Sequence, residues 1–194
     1  MGQVIYLTGA PATGKSSLTE RVIARDPSID IFCYSQRLRD HVNARTAGSD
    51  LTEESVRRES ARAISKNDVD AVDELLVKHV AEFRNQRHII IDSHPVTKES
   101  FGFRITGFST PGLLELSPDV IVCLYADPDL ISRRIENAPA GRPLPSSYEI
   151  ALHNSLQMGV ASQYALSLGK PVYLLDSGID KDRLTEVFME RCHI

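Results

Sequence analysis

The stretch Gly9-Ala10-Pro11-Ala12-Thr13-Gly14-Lys15-Ser16 has the spacing G-x-x-x-x-G-K-S, that of a phosphate-binding loop. Its chemistry is anion binding by the backbone. Gly9 and Gly14 permit conformations that a Cβ disfavours. The N–H groups along Ala10, Ala12, Thr13 and Gly14 can then turn inward as an anion nest. A helix beginning near Lys15 and running through Ser16 and Ser17 adds its positive dipole end. Lys15 is expected on the β- and γ-phosphates of ATP, and the Ser16 hydroxyl on Mg²⁺. The flanks agree. Val4-Ile5-Tyr6-Leu7-Thr8 has strand character. Leu18, Val22 and Ile23 fall on one face of a following helix.

In open α/β sheets, ligands lie at the carboxyl ends of the strands. Asp92 follows Ile89-Ile90-Ile91 and is expected to project toward Mg²⁺ and the phosphates, directly or through water; turn capping is the alternative. His94, two residues on, is either a hydrogen-bonding group beside the phosphates or a structural histidine. Phosphoryl transfer needs positive charge along the path of the moving group. The candidates are Arg39, Arg57, Arg58, Arg104, Arg133, Arg134 and Arg142, arginine being suited to bidentate phosphate contacts. Arg133 and Arg134 are adjacent on a helical pattern, so one is expected in the cleft and the other in solvent. Arg142 is placed to close over ATP. No histidine–carboxylate cluster suggests a zinc enzyme.

These residues need a scaffold, and the chain alternates strand-like with helical patterns, the signature of a parallel sheet covered by helices. Strands are expected over residues 3–8, 29–34, 88–91, 120–126 and 171–175. Helices are expected over 35–44, 68–84, 111–116, 128–136, 146–168 and 180–191. Thr52 to Ser55 reads as a weak capping box. The 68–84 helix should bury Val72, Leu75, Leu76, His79, Val80 and Phe83 on one side. Residues 96–110 show no clear period and read as a functional loop holding Phe101, Phe103 and Phe108. Residues 137–145 carry three prolines and one glycine and read as a surface flap.

The expected architecture is a three-layer α/β fold, a five-stranded parallel sheet with helices on both faces. At 194 residues, one domain is expected. A helical excursion over about 35–86 is expected to bind the acceptor substrate, a mere helical layer being the alternative, and the flap is expected as a short lid over about 137–147. With 42% hydrophobic and 25% charged residues the composition is that of a soluble globular protein. A net charge of −4 gives no basic footprint for nucleic acid. No apolar run approaches a membrane span, and the first strand leaves no room for a signal peptide. Cys33, Cys123 and Cys192 lack metal-type spacing and are expected as free thiols in a reducing cytoplasm.

The loop Thr8 to Ser16 resembles that of nucleoside monophosphate kinases, most closely the archaeal type of adenylate kinase. That family carries an Asp-Ser/Thr-His motif after its third strand, and Ile91-Asp92-Ser93-His94 matches it. Leu113 to Val122 matches its approach to the fourth strand, and Arg133-Arg134 its paired arginines. The resemblance runs through nearly the whole chain, although only the loop is highly specific. It implies a monophosphate-binding region that begins at Tyr34-Ser35-Gln36-Arg37-Leu38-Arg39. There Ser35 and Arg39 meet the acceptor, with Arg57 or Arg58 on the same side. It gives Arg134 and Arg142 the lid-side role and rests adenine on Ser177-Gly178. The chain also departs from the family. Pro143 and Pro145 crowd the flap, and the helix after it holds His153, Gln157 and Gln163 but no arginine. Phe101-Gly102-Phe103-Arg104 alters the substrate loop.

The expected activity is ATP-dependent phosphoryl transfer to a small acceptor such as AMP. If the acceptor is instead a hydroxyl compound, Asp92 becomes the candidate base. A nucleotide-binding regulator or partner-dependent ATPase is the reading from a different class.

Overall fold

The computed structural model describes residues 2–45, 64–137 and 144–194. In chain order the elements are β1 (Val4–Gly9), α1 (Lys15–Arg25), β2 (Asp30–Cys33), α2 (Tyr34–Arg45), α3 (Lys66–Phe83), β3 (Ile89–Asp92), β4 (Val96–Glu99), β5 (Gly102–Ile105), α4 (Thr110–Leu116), β6 (Val120–Tyr125), α5 (Pro128–Glu136), α6 (Ser147–Leu168), β7 (Val172–Asp176) and α7 (Lys181–Cys192). Five strands form one parallel sheet in the order β2-β3-β1-β6-β7. The first strand of the sequence is thus the central one. The loops after β1 and β3 emerge side by side, with Leu7 opposite Asp92 and Gly9 opposite Leu124.

Alternation along β1 builds the layers. Val4 and Tyr6 enter a core with Val72, Leu76 and Val80 of α3, Leu113 and Leu116 of α4, and Ala161 and Tyr164 of α6. Ile5 and Leu7 enter the opposite core with Leu18 and Val22 of α1 and Leu184, Phe188 and Cys192 of α7. Two residues expected on buried faces lie at the rims of their apolar stripes: Ile23 and Leu75 are 39% and 49% exposed. Cys33, Cys123 and Cys192 are free thiols, the last two buried. No described helix is long and apolar enough to cross a membrane.

The segment 96–110 is a correction to the sequence reading. Its first part is an antiparallel hairpin, β4 on β5, with Val96 opposite Ile105 and Glu99 opposite Gly102. The turn leaves Phe101 exposed, and Gly102 takes φ +133°, a conformation that favours glycine. The expected box at Thr52–Ser55, together with Arg57, Arg58 and Arg142, lies outside the described residues. Among the described residues the capping boxes are Ser65 with Asp68 at α3, and Ser146 with Glu149 at α6.

Asp68 also ties α3 to α2. Its buried carboxylate accepts from the Ser65 hydroxyl at 2.6 Å and the Ser65 N–H at 2.9 Å. Arg45 Nη1 stands 3.0 Å away and His41 Nε2 3.5 Å away. The Ser65 hydrogen bond is the main reason the carboxyl titrates below its usual value. Its contribution to stability is therefore present above the ordinary carboxylate range and is lost as pH falls through the lowered value. Asp68→Asn is expected to lower the melting temperature by about 3–8 °C at pH 7. The difference from the parent should narrow below about pH 4 in a melting series across pH.

Candidate functional site

The loop after β1 is held in shape by its own side chains. Thr13, wholly buried, donates from Oγ1 to the Ala10 carbonyl at 2.7 Å, and its N–H reaches the same oxygen at 3.3 Å. Gly9, Ala12 and Gly14 take φ of +150°, +63° and +93°. The left-handed Ala12 costs about 1–2 kcal/mol, and a site that holds such a residue needs the shape it gives. Gly14 is the N-cap of α1 and makes no side-chain capping hydrogen bond. The first N–H groups of α1 therefore lack a side-chain acceptor and stand ready for an anion. Lys15 Nζ donates to the Gly9 carbonyl at 2.8 Å, folding back over the loop. Ser16 is exposed and Ser17 half-buried at the same helix start.

Arg134 and Arg133 part as their spacing requires. Arg133 is exposed, and Arg134 turns inward. Its guanidinium donates to the Ala12 carbonyl at 3.1 Å, to Ser177 Oγ at 3.2 Å and to the Ser177 carbonyl at 2.7 Å. Partial burial lowers its pKa, with Asp176 opposing. Arg134 thus pins the phosphate loop to the turn after β7, where the Gly178 N–H donates to Asp176 Oδ1 at 2.8 Å. The sequence placed all three residues near one another but gave no sign of this bridge.

The loop opens into a cleft of about 1420 Å³ that runs to α2, α3 and the β4–β5 hairpin. Asp92, His94, Ser35, Arg39 and Arg104 all line it. Burial raises the Asp92 carboxyl above its usual value, and the Lys15 ammonium opposes the rise, so the two share one neighbourhood. Ser35 Oγ sits 3.6 Å from Cys33 Sγ. Arg39 has no carboxylate partner among the described residues. Arg104, one of the candidate cations, pairs through its guanidinium with the buried Glu99 carboxylate at 3.2 Å, which balances its charge.

Three groups escaped the sequence reading. On α6, Gln157 accepts from the Thr8 hydroxyl at 3.3 Å and donates to the Val96 carbonyl at 3.3 Å. His153 Nε2 meets that carbonyl at 3.0 Å, and Asn154 donates to the Ala126 carbonyl at 2.8 Å. This buried polar seam ties the root of the phosphate loop to the hairpin. The signal was available, since His153, Asn154 and Gln157 share the helical period of buried Ile150, Ala161 and Tyr164. Lys98, on the hairpin, pairs with Glu149 at 3.1 Å. The third group is an aromatic cluster at the far end of the cleft.

A parallel sheet with a G-x-x-x-x-G-K-S loop leading from its central strand into a helix defines the P-loop nucleotide-binding class. The chain belongs to the AAA_17 family, described as AAA domain, whose model matches residues 8–151. Within that class it is a P-loop kinase, similar to archaeal adenylate kinases. It is 27% identical to the adenylate kinase of Methanopyrus kandleri over 98% of this chain and 96% of that one. It is 25% identical to that of Methanoculleus marisnigri over 93% and 96%. Among solved structures it shares its fold with the tunicamycin resistance protein of Deinococcus radiodurans, with TM-score 0.63, 13% identity and 98% and 95% coverage. It also shares its fold with shikimate kinase of Bacteroides thetaiotaomicron, with TM-score 0.60, 16% identity and 99% coverage of both chains.

Proposed function

We propose that this protein transfers the γ-phosphoryl group of ATP to a nucleoside monophosphate. The observation that carries the reading is one cleft with two ends. A phosphate cup stands at one end and Arg39, which has no carboxylate partner among the described residues, at the other, with Lys15 and Asp92 along the way. The curated relatives, adenylate kinases matched over nearly their whole length, support this acceptor class.

In this reading the backbone of Gly9 to Gly14 and the start of α1 hold the triphosphate. Lys15 leaves the Gly9 carbonyl for the β- and γ-phosphates and follows the charge that develops in transfer. Arg134, with Arg142 from the lid over 137–147, serves the donor side, and adenine rests on Ser177 and Gly178. Ser35, Arg39 and Arg58, within the 35–86 region, hold the acceptor, with His94 beside the phosphates. Arg104 is left a lesser part because Glu99 balances it. Among the described residues no group of three or more His, Cys, Asp or Glu forms a metal cage. That fits Mg²⁺, which keeps its waters and binds through one or two side chains and substrate phosphates. Ser16 and Asp92 are the residues that would hold it, and it would neutralise phosphate charge. A phosphate acceptor needs no general base. If the acceptor is a hydroxyl, Asp92 is the base, and its raised pKa supports that second reading. Free thiols at all three cysteines are compatible with a reducing cytoplasm.

The test is ADP formation from Mg·ATP in a coupled assay with and without added nucleoside monophosphates. Acceptor-dependent turnover is expected, lowered about 100-fold by Asp92→Asn. ADP at the background hydrolysis rate with every nucleotide acceptor would remove the reading.

A further inference from the structure

The far end of the cleft carries groups that phosphate chemistry does not use. Asp73 of α3 faces it. Tyr34 Oη donates to Asp73 Oδ1 at 2.7 Å, and the other carboxylate oxygen has no hydrogen bond among the described residues. Burial raises this carboxyl above its usual value. Aromatic rings line the same cleft. Phe108 lies 6.0 Å from Tyr34, 6.0 Å from Tyr6 and 6.2 Å from Tyr164, centre to centre. Tyr6 is 1% exposed and lines the cleft. Its hydroxyl makes no well-aligned hydrogen bond among the described residues, although Ser93 and Thr8 stand beside it.

We infer that this end is a nucleobase subsite and that Asp73 makes it select a guanine-type base over adenine. The inference rests on the nucleoside monophosphate reading. Aromatic walls suit a planar heterocycle and do not by themselves choose among bases. The carboxylate does choose. Ionised, it only accepts, and its two oxygens carry about four lone-pair sites, of which Tyr34 uses one. Guanine presents two adjacent donors, N1–H and the N2 amino group, which match the two oxygens. Adenine sets its N6 amino donor beside the N1 lone pair, and cytosine sets its N4 amino donor beside the N3 lone pair. Either base turns a lone pair toward a negative oxygen. Uracil flanks its one N–H with two carbonyls. A site built to meet donors rejects an analogue that leaves its polar groups unpaired.

The test is initial-rate kinetics with Mg·ATP against the monophosphates of guanosine, adenosine, cytidine and uridine. The kcat/KM for the guanosine substrate is expected to exceed that for the adenosine substrate by at least about tenfold. Asp73→Asn keeps an oxygen for Tyr34 and offers one donor beside one acceptor, the complement of adenine. It should shift the guanosine-to-adenosine ratio at least about tenfold toward adenosine. A parent enzyme that prefers any of the other three, or a ratio unmoved by Asp73→Asn, overturns the inference and leaves the kinase reading standing. Turnover with none of the four, in protein that still binds Mg·ATP, overturns both.

Discussion

Lys15→Ala is expected to lower the acceptor-dependent kcat by about 100- to 1000-fold. Lys15 is the cation that the phosphate loop itself carries, and its Nζ touches the Gly9 carbonyl at 2.8 Å. It is neither buried nor part of an ion pair with a described carboxylate, so the fold does not depend on it. The melting temperature of Lys15→Ala should stay within about 2 °C of the parent, as for surface substitutions. Lys15→Arg separates charge from shape, since guanidinium is larger and planar. Retained charge with lost turnover would show that the point-like ammonium matters. A Lys15→Ala enzyme with parental kcat would remove the lysine from the proposed chemistry. Steady-state kinetics with a thermal melt on the same preparations decides among these outcomes.

Gly9→Ala is the second large effect, and it acts on the loop's shape. A Cβ at Gly9 would stand 2.7 Å from the Leu124 carbonyl oxygen and 2.8 Å from Thr13 Oγ1. The first obstacle is backbone of the neighbouring strand β6, and the second is the hydroxyl that braces the loop. Relief requires β1 and β6 to part or Thr13 to let go of Ala10. Gly14 differs: φ +93° strains any side chain, but the nearest atom to its Cβ is Arg134 Nη1 at 3.9 Å. Gly14→Ala then costs only conformational strain of about 1–3 kcal/mol. Gly9→Ala adds overpacking of about 1–3 kcal/mol to a similar strain. Denaturant melts should rank Gly9→Ala below Gly14→Ala and Gly14→Ala below the parent. Equal destabilisation by the two would contradict the steric account.

Much of this was legible in the residues because the signals are local. A loop with fixed spacing, β-branched runs ending in Asp92 or Asp127-Pro128, and a glycine after Leu168 each announce a strand, turn or helix end on their own. The helix boundaries fall within two residues of the expected ones, and Gly169 caps α6 in the left-handed conformation. What stayed hidden is what tertiary pairing creates. The hairpin has two four-residue strands, too short for period two to stand out. Its Glu99 is buried because Arg104 balances it from the opposite strand, a fact no single position reveals. Arg134 was visible as a cation, but its partners Ala12 and Ser177 lie far away in sequence and offer backbone oxygens, which leave no trace in residue type. His153, Asn154 and Gln157 did carry a periodic signal. Residue type alone does not tell a polar group buried in a hydrogen-bonded network from one that faces water, and the partners here are backbone carbonyls of Val96 and Ala126 far off in sequence.

Calorimetric titration of Mg·ATP into the folded protein bears most directly on the phosphate cup from which the kinase reading is built. Saturable, one-to-one heat is predicted, weakened by Gly9→Ala through the loop and by Lys15→Ala through charge. No heat from the parent protein at any workable concentration, with the fold verified by its melt, would contradict the account at its base.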